Sequence, residues 1–536
     1  MKRKRIIITA TIILLSSIVL SVTFISLRVK TQVKEMFKLN KTLQEEGYYM
    51  ADFEFNMVGC GYYLGKGQYY KSVMFLNEYH KKLSSREGLI KIPRFKNKKE
   101  EIYFYLNLQN PRTGAFIDTS APYCTFWEVT QNTINHLEAL TDSTTAPLTL
   151  KYPLTFLDEI NTPEKLTAFL DDISYVGWLA SKFPQTSFHF ARNILSAAKP
   201  DNTLERNKLY TFSPEWKHAM VKWMYDFQDT TTGLWGPKDR QTGQLTKFDL
   251  NNTASILNDF RDNDGNDLYA EFPLKYQDKL FKSAIAQLSE PFPNEENLPE
   301  IHEWNLRQSK GIKMLLRYLW KDASDDNKKK AERIIARNID ICFEKYYVKE
   351  DGAFSYYPNA QHASGDGSTN LILRHIGAFS FEKQKKLWGD PSKNKRDMGM
   401  IILHELKTSD WDSIVNIPGI NSVRIYANTP NEERLTDGVW AVYYPRDTLV
   451  LDIMELVPNM VRWTESTSLS MGNWTSMAEI KKEYSKLNIK RPLIYKDKLP
   501  FDEVNRKFKE AGELSVVGFD KFQVPRGKMK FKYTTS

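Results

Sequence analysis

Cysteine is nearly absent from this chain: Cys60, Cys124 and Cys342 are scattered through 536 residues. Three such residues make no disulfide framework and allow one bridge at most, so stability has to come from packing. A phosphate cradle is also missing. The glycine-tyrosine stretch over 59–70 is not followed by Gly-Lys-Ser/Thr, the residues that would place a lysine and a hydroxyl on a nucleotide. Cys342, His362 and His375 form no tight ligand pair, so no metal site is expected from them. An excess of one charge is lacking too. The formal net charge of +9 includes Lys2, Arg3, Lys4, Arg5, Arg28 and Lys30, and removing those six leaves about +3. So weak a polarity leaves no strong nucleic-acid footprint, and no nucleic-acid partner is expected. The short basic run Arg94 to Lys99 reads as a solvated loop.

One long apolar run is present. Lys2-Arg3-Lys4-Arg5 precedes Ile6 to Leu27, 22 residues without a charge, and Arg28 and Lys30 close it. That length spans a hydrocarbon core as a helix and exceeds the usual signal-peptide apolar region. Val19 and Ser21 suit the small-residue cleavage rule only loosely. Residues 1–30 are therefore expected to be an uncleaved transmembrane signal-anchor, touching the membrane through 6–27 and leaving the body extracytoplasmic. That body, with 41% hydrophobic and 13% aromatic residues over the chain, has a globular composition.

A segment then repeats. Gln109-Asn-Pro-Arg-Thr-Gly114-Ala-Phe116 returns as Gln228-Asp-Thr-Thr-Thr-Gly233-Leu-Trp235, and more loosely as Lys349-Glu-Asp-Gly352-Ala-Phe354. The glycines stand 119 residues apart both times, the fixed-period similarity of a repeat architecture. A glycine after a helical run supplies the positive φ that ends a helix, and the neighbouring Asp, Asn and Thr build the turn. Each copy is followed by a helix-like stretch, Val129 to Leu140, Leu250 to Phe260 and Ser368 to Phe379. The unit reads as helix, glycine turn, loop, helix, and a period near 119 fits two helical hairpins per repeat.

The pair of Gln-containing copies resembles the repeat of the prenyltransferase and terpene-cyclase superfamily. That resemblance covers residues 100–380 and implies an α/α toroid, a fold shared by six-hairpin glycosidases and several polysaccharide lyases. The superfamily's chemistry does not carry over. An Asp-x-Asp-Asp acid has its nearest match in Asp322-Ala-Ser-Asp325-Asp326, with the wrong spacing. Asp171-Asp172 is followed by Ile-Ser-Tyr, which breaks an Asp-Asp-x-x-Asp diphosphate site. Isoprenoid chemistry is thus an alternative reading, beside a non-enzymatic toroid that binds a glycan or a protein.

The expected fold class is mainly α: an α/α toroid of helical hairpins over 91–410, after a helical or mixed segment over 31–90. Closing helices and a small β-rich appendage fill 411–536, where Val423 to Tyr426 and Gly438 to Tyr444 read as a hairpin. A further helix starts from about Thr448, and the chain after Lys481 reads as basic and partly structured. Helices begin at Thr162-Pro163 and Ser213-Pro214, and Trp216, Met220, Trp223, Met224 and Phe227 recur as an apolar stripe.

In a toroid the chemistry sits in the loops after the three turns. Those loops and the following helices hold Glu128, Asn132 and His136, then Asp249, Asn251 and Asn252, then Tyr357, His362, Asp366 and His375. The expected activity is cleavage of a surface or cell-envelope glycan. Hydrolysis requires two carboxylates facing the sugar, here Asp249 and Asp366. β-Elimination would use Tyr357 and His362, with Asn132 neutralising a uronate. Glu128, Asn132, His136, Asn252 and His375 are candidate substrate-binding residues. No cofactor is expected; Asp262, Asp264 and Asp267 could wrap calcium, but they miss the EF-hand register.

Overall fold

In the computed structural model, the residues described are 28–445 and 492–536, apart from 29–30, 41, 45, 142–147, 178–185, 349–352, 362–367, 379, 391–394, 433–434, 436 and 521–523. The chain divides into two compact units. One comprises Met1–Thr230, Leu234–Asp259 and Tyr269–Phe272; the other comprises Thr231–Gly233, Phe260–Leu268 and Pro273–Ser536.

The first two glycine turns close in the same way. Gly114 and Gly233 take φ of 72° and 75°, the left-handed region that glycine occupies without strain. The residue after each Gln donates across the turn: Asn110 N to Ala115 O at 2.8 Å and Asp229 N to Leu234 O at 3.0 Å. The aromatic that follows is buried, and its backbone N–H is taken by a threonine of the next helix. Phe116 N reaches Thr130 Oγ1 at 3.1 Å and Trp235 N reaches Thr253 Oγ1 at 3.0 Å. In the first copy Gln109 also clamps the loop, donating to Gly114 O at 2.8 Å and exchanging two bonds with the Tyr152 backbone. The third copy differs. Ala353–Phe354 pairs antiparallel with Tyr347–Val348 as two-residue strands, with Phe354 buried against Phe343 at 4.8 Å between ring centres.

The longer helices of the first unit include α1 Phe53–Gly65, α2 Tyr69–Ser85, α3 Lys98–Asn107, α4 Phe126–Leu140, α5 Pro163–Ser174, α6 Phe188–Ile194, α7 Pro214–Phe227 and α8 Leu250–Phe260, which reaches its boundary. Thr162 and Ser213 cap α5 and α7 through their hydroxyls, each helix opening on proline, because proline has no N–H to leave unpaired there. Trp216, Met220, Met224 and Phe227 of α7 are buried. Trp223 is the exception to the expected stripe: it is half-exposed and its indole donates to Asp171 Oδ1 at 2.9 Å. Two short strands, β1 Tyr175–Val176 and β2 Lys238–Asp239, pair in parallel.

The second unit holds α9 Gln277–Leu288, α10 Leu298–Lys313, α11 Asp325–Tyr346, strands β3 Tyr347–Val348 and β4 Ala353–Phe354, then α12 Ser368–His375 and α13 Phe381–Trp388. Its C-terminal part is a sheet of β5 Arg396–Leu403, β6 Ile420–Tyr426, β7 Val439–Tyr444, β8 Leu493–Lys496, β9 Glu513–Asp520 and β10 Pro525–Tyr533, in the order β5-β10-β9-β6-β7-β8. β6 and β7 form the expected antiparallel pair, with Val423 opposite Tyr443. Helices α14 Thr408–Val415 and α15 Phe501–Ala511 bury Trp411, Ile414, Val504 and Phe508 in one cluster with Val423, Val516, Met529 and Phe531 of the sheet.

The expected fold class does not stand. In place of a small appendage there is a six-stranded mixed sheet with a core of its own. Its last strand was hidden by lysines: Lys528, Lys530 and Lys532 alternate with buried Met529 and Phe531, the period-two pattern of a half-buried strand. The transmembrane helix is likewise corrected. Among the described residues no helix is long and apolar enough to cross a membrane. Even the 22-residue α11 buries one stripe, Ala331, Ile335, Ile339 and Cys342, and carries charge elsewhere. The run 6–27 and the helix expected from Thr448 lie outside the described residues. The cysteines are free and buried, and burial pushes the Cys60 and Cys342 thiols up to about 12.

Candidate functional site

The candidate residues separate between the units. Glu128, Asn132, His136, Asp249 and Asn252 belong to the first, Tyr357 and His375 to the second; His362 and Asp366 lie outside the described residues. Within the first unit the structure gathers some of them around two residues that the sequence did not mark.

Glu128 stands in the first turn of α4, where the helix dipole favours a carboxylate. His189 of α6 faces it. Its Nε2 lies 3.1 Å from Glu128 Oε1 as a hydrogen bond and 2.9 Å from Oε2 outside hydrogen-bonding alignment. Only 11% of the His189 side chain and 12% of the Glu128 side chain are exposed, so water screens the pair little. One turn on, Arg192 Nη2 lies 3.3 Å from His189 Nδ1. An arginine can only donate, which makes Nδ1 the acceptor and leaves the Nε2 proton to Glu128. Arg192, His189 and Glu128 thus form a directed chain ending on a carboxylate.

Arg192 is the cationic centre. Burial pushes its guanidinium below the usual range, opposed by the negative fields of Glu128, Asp259, Asp249 and Glu54 in that order. Four acids therefore add their negative fields at one desolvated cation. Asp259 is itself paired with Lys199. Asp249 caps α8: its Oδ1 accepts Asn252 N at 2.9 Å and its Oδ2 accepts Asn252 Nδ2 at 2.6 Å. Buried atoms without a hydrogen-bond partner among the described residues include Glu128 Oε2, Arg192 Nε, Asn193 Nδ2 and Asn252 Oδ1. Such atoms are satisfied by water or by a ligand's polar groups. His189 and Arg192 escaped sequence reading because the seven-residue α6 carries no repeat or motif.

The other candidates lie elsewhere. Asn132 is exposed on α4. His136 is turned to α3, with Nε2 3.1 Å from Glu101 Oε1 and its ring against Tyr105. In the second unit Tyr357 is half-buried, its carbonyl accepting Ser355 Oγ at 2.7 Å. His375 is pushed down to about 3, first by burial and then by Lys383, Lys313, Arg317 and Lys310, so it is neutral at ordinary pH and cannot hold an anion as a cation.

The three carboxylates considered for calcium are engaged by protein donors. Asp262 accepts Asp264 N, Asn266 N and Asn266 Nδ2 at 2.8 to 2.9 Å, and these bonds hold its carboxyl below the usual range. Asp267 Oδ1 accepts Arg261 Nε at 3.0 Å, and Asp264 pairs with Lys386. Among the described residues no group of three His, Cys, Asp or Glu side chains is placed to hold a metal ion.

No family model, curated protein or solved structure matches the chain. The resemblance to prenyltransferase and terpene-cyclase repeats therefore rests on the glycine turns alone.

Proposed function

We propose that this chain hydrolyses a surface or cell-envelope glycan, with Glu128 as the acid–base carboxylate. The observation that carries the reading is the shielded Arg192–His189–Glu128 chain, set among further carboxylates. Glu128, accepting the His189 N–H as a carboxylate, takes a proton from the water whose oxygen bonds to the anomeric carbon. A second carboxyl gives its proton to the glycosidic oxygen as the bond to that carbon breaks. Asp249 and Asp259 are the candidates for the second role. His189 and Arg192 are positioning residues that orient Glu128. Hydrolysis is favoured over β-elimination because Asn132, the residue that would neutralise a uronate, is exposed on α4.

The test is mass spectrometry of glycan panels treated with the full chain and with Glu128→Gln. Fragments heavier by one water are expected from the wild type, with a rate at least about a hundredfold lower in the variant, the usual loss for a missing acid–base group. Unsaturated fragments, or equal rates for both proteins, overturn the assignment. Glycans that stay intact yet bind would instead support the non-enzymatic reading.

A further inference from the structure

Away from Glu128, the first unit has an open pocket of about 440 Å³ lined by Ala168, Asp171, Asp172, Tyr175 and Arg240, within the size range of small-ligand sites. Local structure builds it. Asp171 and Asp172 end α5, Tyr175 opens β1, and the parallel pairing of β1 with β2 brings Arg240 across. Arg240 is anchored by its own N–H to Val176 O at 3.0 Å and by Nη2 to Tyr175 O at 2.6 Å.

The groups here balance one another. Asp172 is held by Tyr62 OH at 2.8 Å and by the Lys66 ammonium. Asp171 accepts the Trp223 indole at Oδ1. With Arg240 the set is two carboxylates and two cations, formally neutral. Among the described residues Arg240 Nη1 and Nε and Asp171 Oδ2 have no hydrogen-bond partner, and both side chains are exposed. The pocket therefore presents unused donors and an unused acceptor together, beside the half-exposed ring of Tyr175. An anionic ligand would be opposed by Asp171 and Asp172, and a cationic one by Arg240 and Lys66. A ring of vicinal hydroxyls, each able to donate and accept, satisfies both sides and offers a C–H face to the tyrosine.

We infer that this pocket binds a neutral sugar ring. The inference deepens the glycan reading and rests on it for the polymer involved. The ligand's hydroxyls bridge the Arg240 guanidinium and the Asp171 carboxylate, and Tyr175 carries the ring face.

Binding is measured by calorimetric titration of the full chain carrying Glu128→Gln, so that turnover cannot remove the ligand. The probes are hexamers of glucose, mannose and galactose, glucose itself, and uronate and glucosamine hexamers. At least one neutral hexamer should bind, with affinity lowered about tenfold or more by Arg240→Ala and by Asp171→Asn, each lost charge-assisted bond being of that size. Thermal melts identify any variant that fails to fold. No binding by any neutral probe, tighter binding of a charged hexamer, or folded variants that bind like their parent would overturn the inference. Glucose binding as tightly as its hexamer upholds the sugar chemistry and assigns the pocket to a free sugar. Glycan cleavage by the wild type with pocket variants unchanged in KM and affinity would sink this site and leave the Glu128 assignment standing. Pocket-dependent binding without wild-type cleavage would do the reverse.

Discussion

His375 shows how a residue that looks chemical in the sequence can be silenced by its surroundings. A histidine in solution protonates near pH 6.5, but here burial and four nearby cations move that step to about 3. The unfolded chain therefore binds one more proton than the folded one between those values, so this group makes stability rise with pH through that window. Denaturant titrations should show wild type losing about 2 kcal/mol relative to His375→Asn between pH 8 and pH 5. Equal slopes for the two proteins would show that His375 titrates freely. Glu128, Asp249 and Asn252 were legible as candidates because they follow the glycine turns. Their roles were not legible. Whether a carboxylate is a helix cap, as Asp249 proves to be, or is held by a histidine, as Glu128 is, depends on what folds against it.

At the scale of the element, the turn motif predicted a loop and a helix start, and both are present in the first two copies. What it could not supply is the threonine that ties each turn to its helix. Thr130 and Thr253 stand 14 and 18 residues after their aromatics, so no constant spacing exposes them. Replacing either by valine keeps the shape and removes the acceptor from a buried backbone N–H, a loss of about 1 to 3 kcal/mol. Thr253→Val should be the costlier, because Thr253 Oγ1 also donates to Trp235 O at 3.0 Å. Chemical denaturation of the two variants checks the order, and a neutral Thr253→Val would refute it. The C-terminal strands were half legible. The hairpin β6–β7 announced itself through β-branched and aromatic residues, whereas β10 alternates lysine with apolar residues and reads as basic tail until its partners β5 and β9 are known.

On the scale of the molecule, the division of the chain into two compact units predicts unfolding that is not two-state. Two substitutions test it. In the first unit Gly114→Ala places a Cβ 1.9 Å from Pro153 O at a φ of +72°, and should cost more than about 2 kcal/mol from backbone strain and overpacking together. In the second, Phe531→Ala removes a ring stacked at 5.4 Å on Trp411 and should cost about 3 to 5 kcal/mol. Calorimetry should show each variant lowering a different transition; one shared transition moved by both would contradict the division. By itself the sequence determined the local features: the glycine turns at 114 and 233, the proline-capped helices at 163 and 214, the hairpin strands, and the absence of a disulfide framework. These follow from conformational preferences acting over a few residues. Only the tertiary structure decided that His189 and Arg192 converge on Glu128, that Arg240 crosses to the Tyr175 carbonyl, and that lysine-rich β10 lies inside a sheet. Each joins residues far apart in the chain, where burial and partner geometry set the chemistry and no local pattern records it.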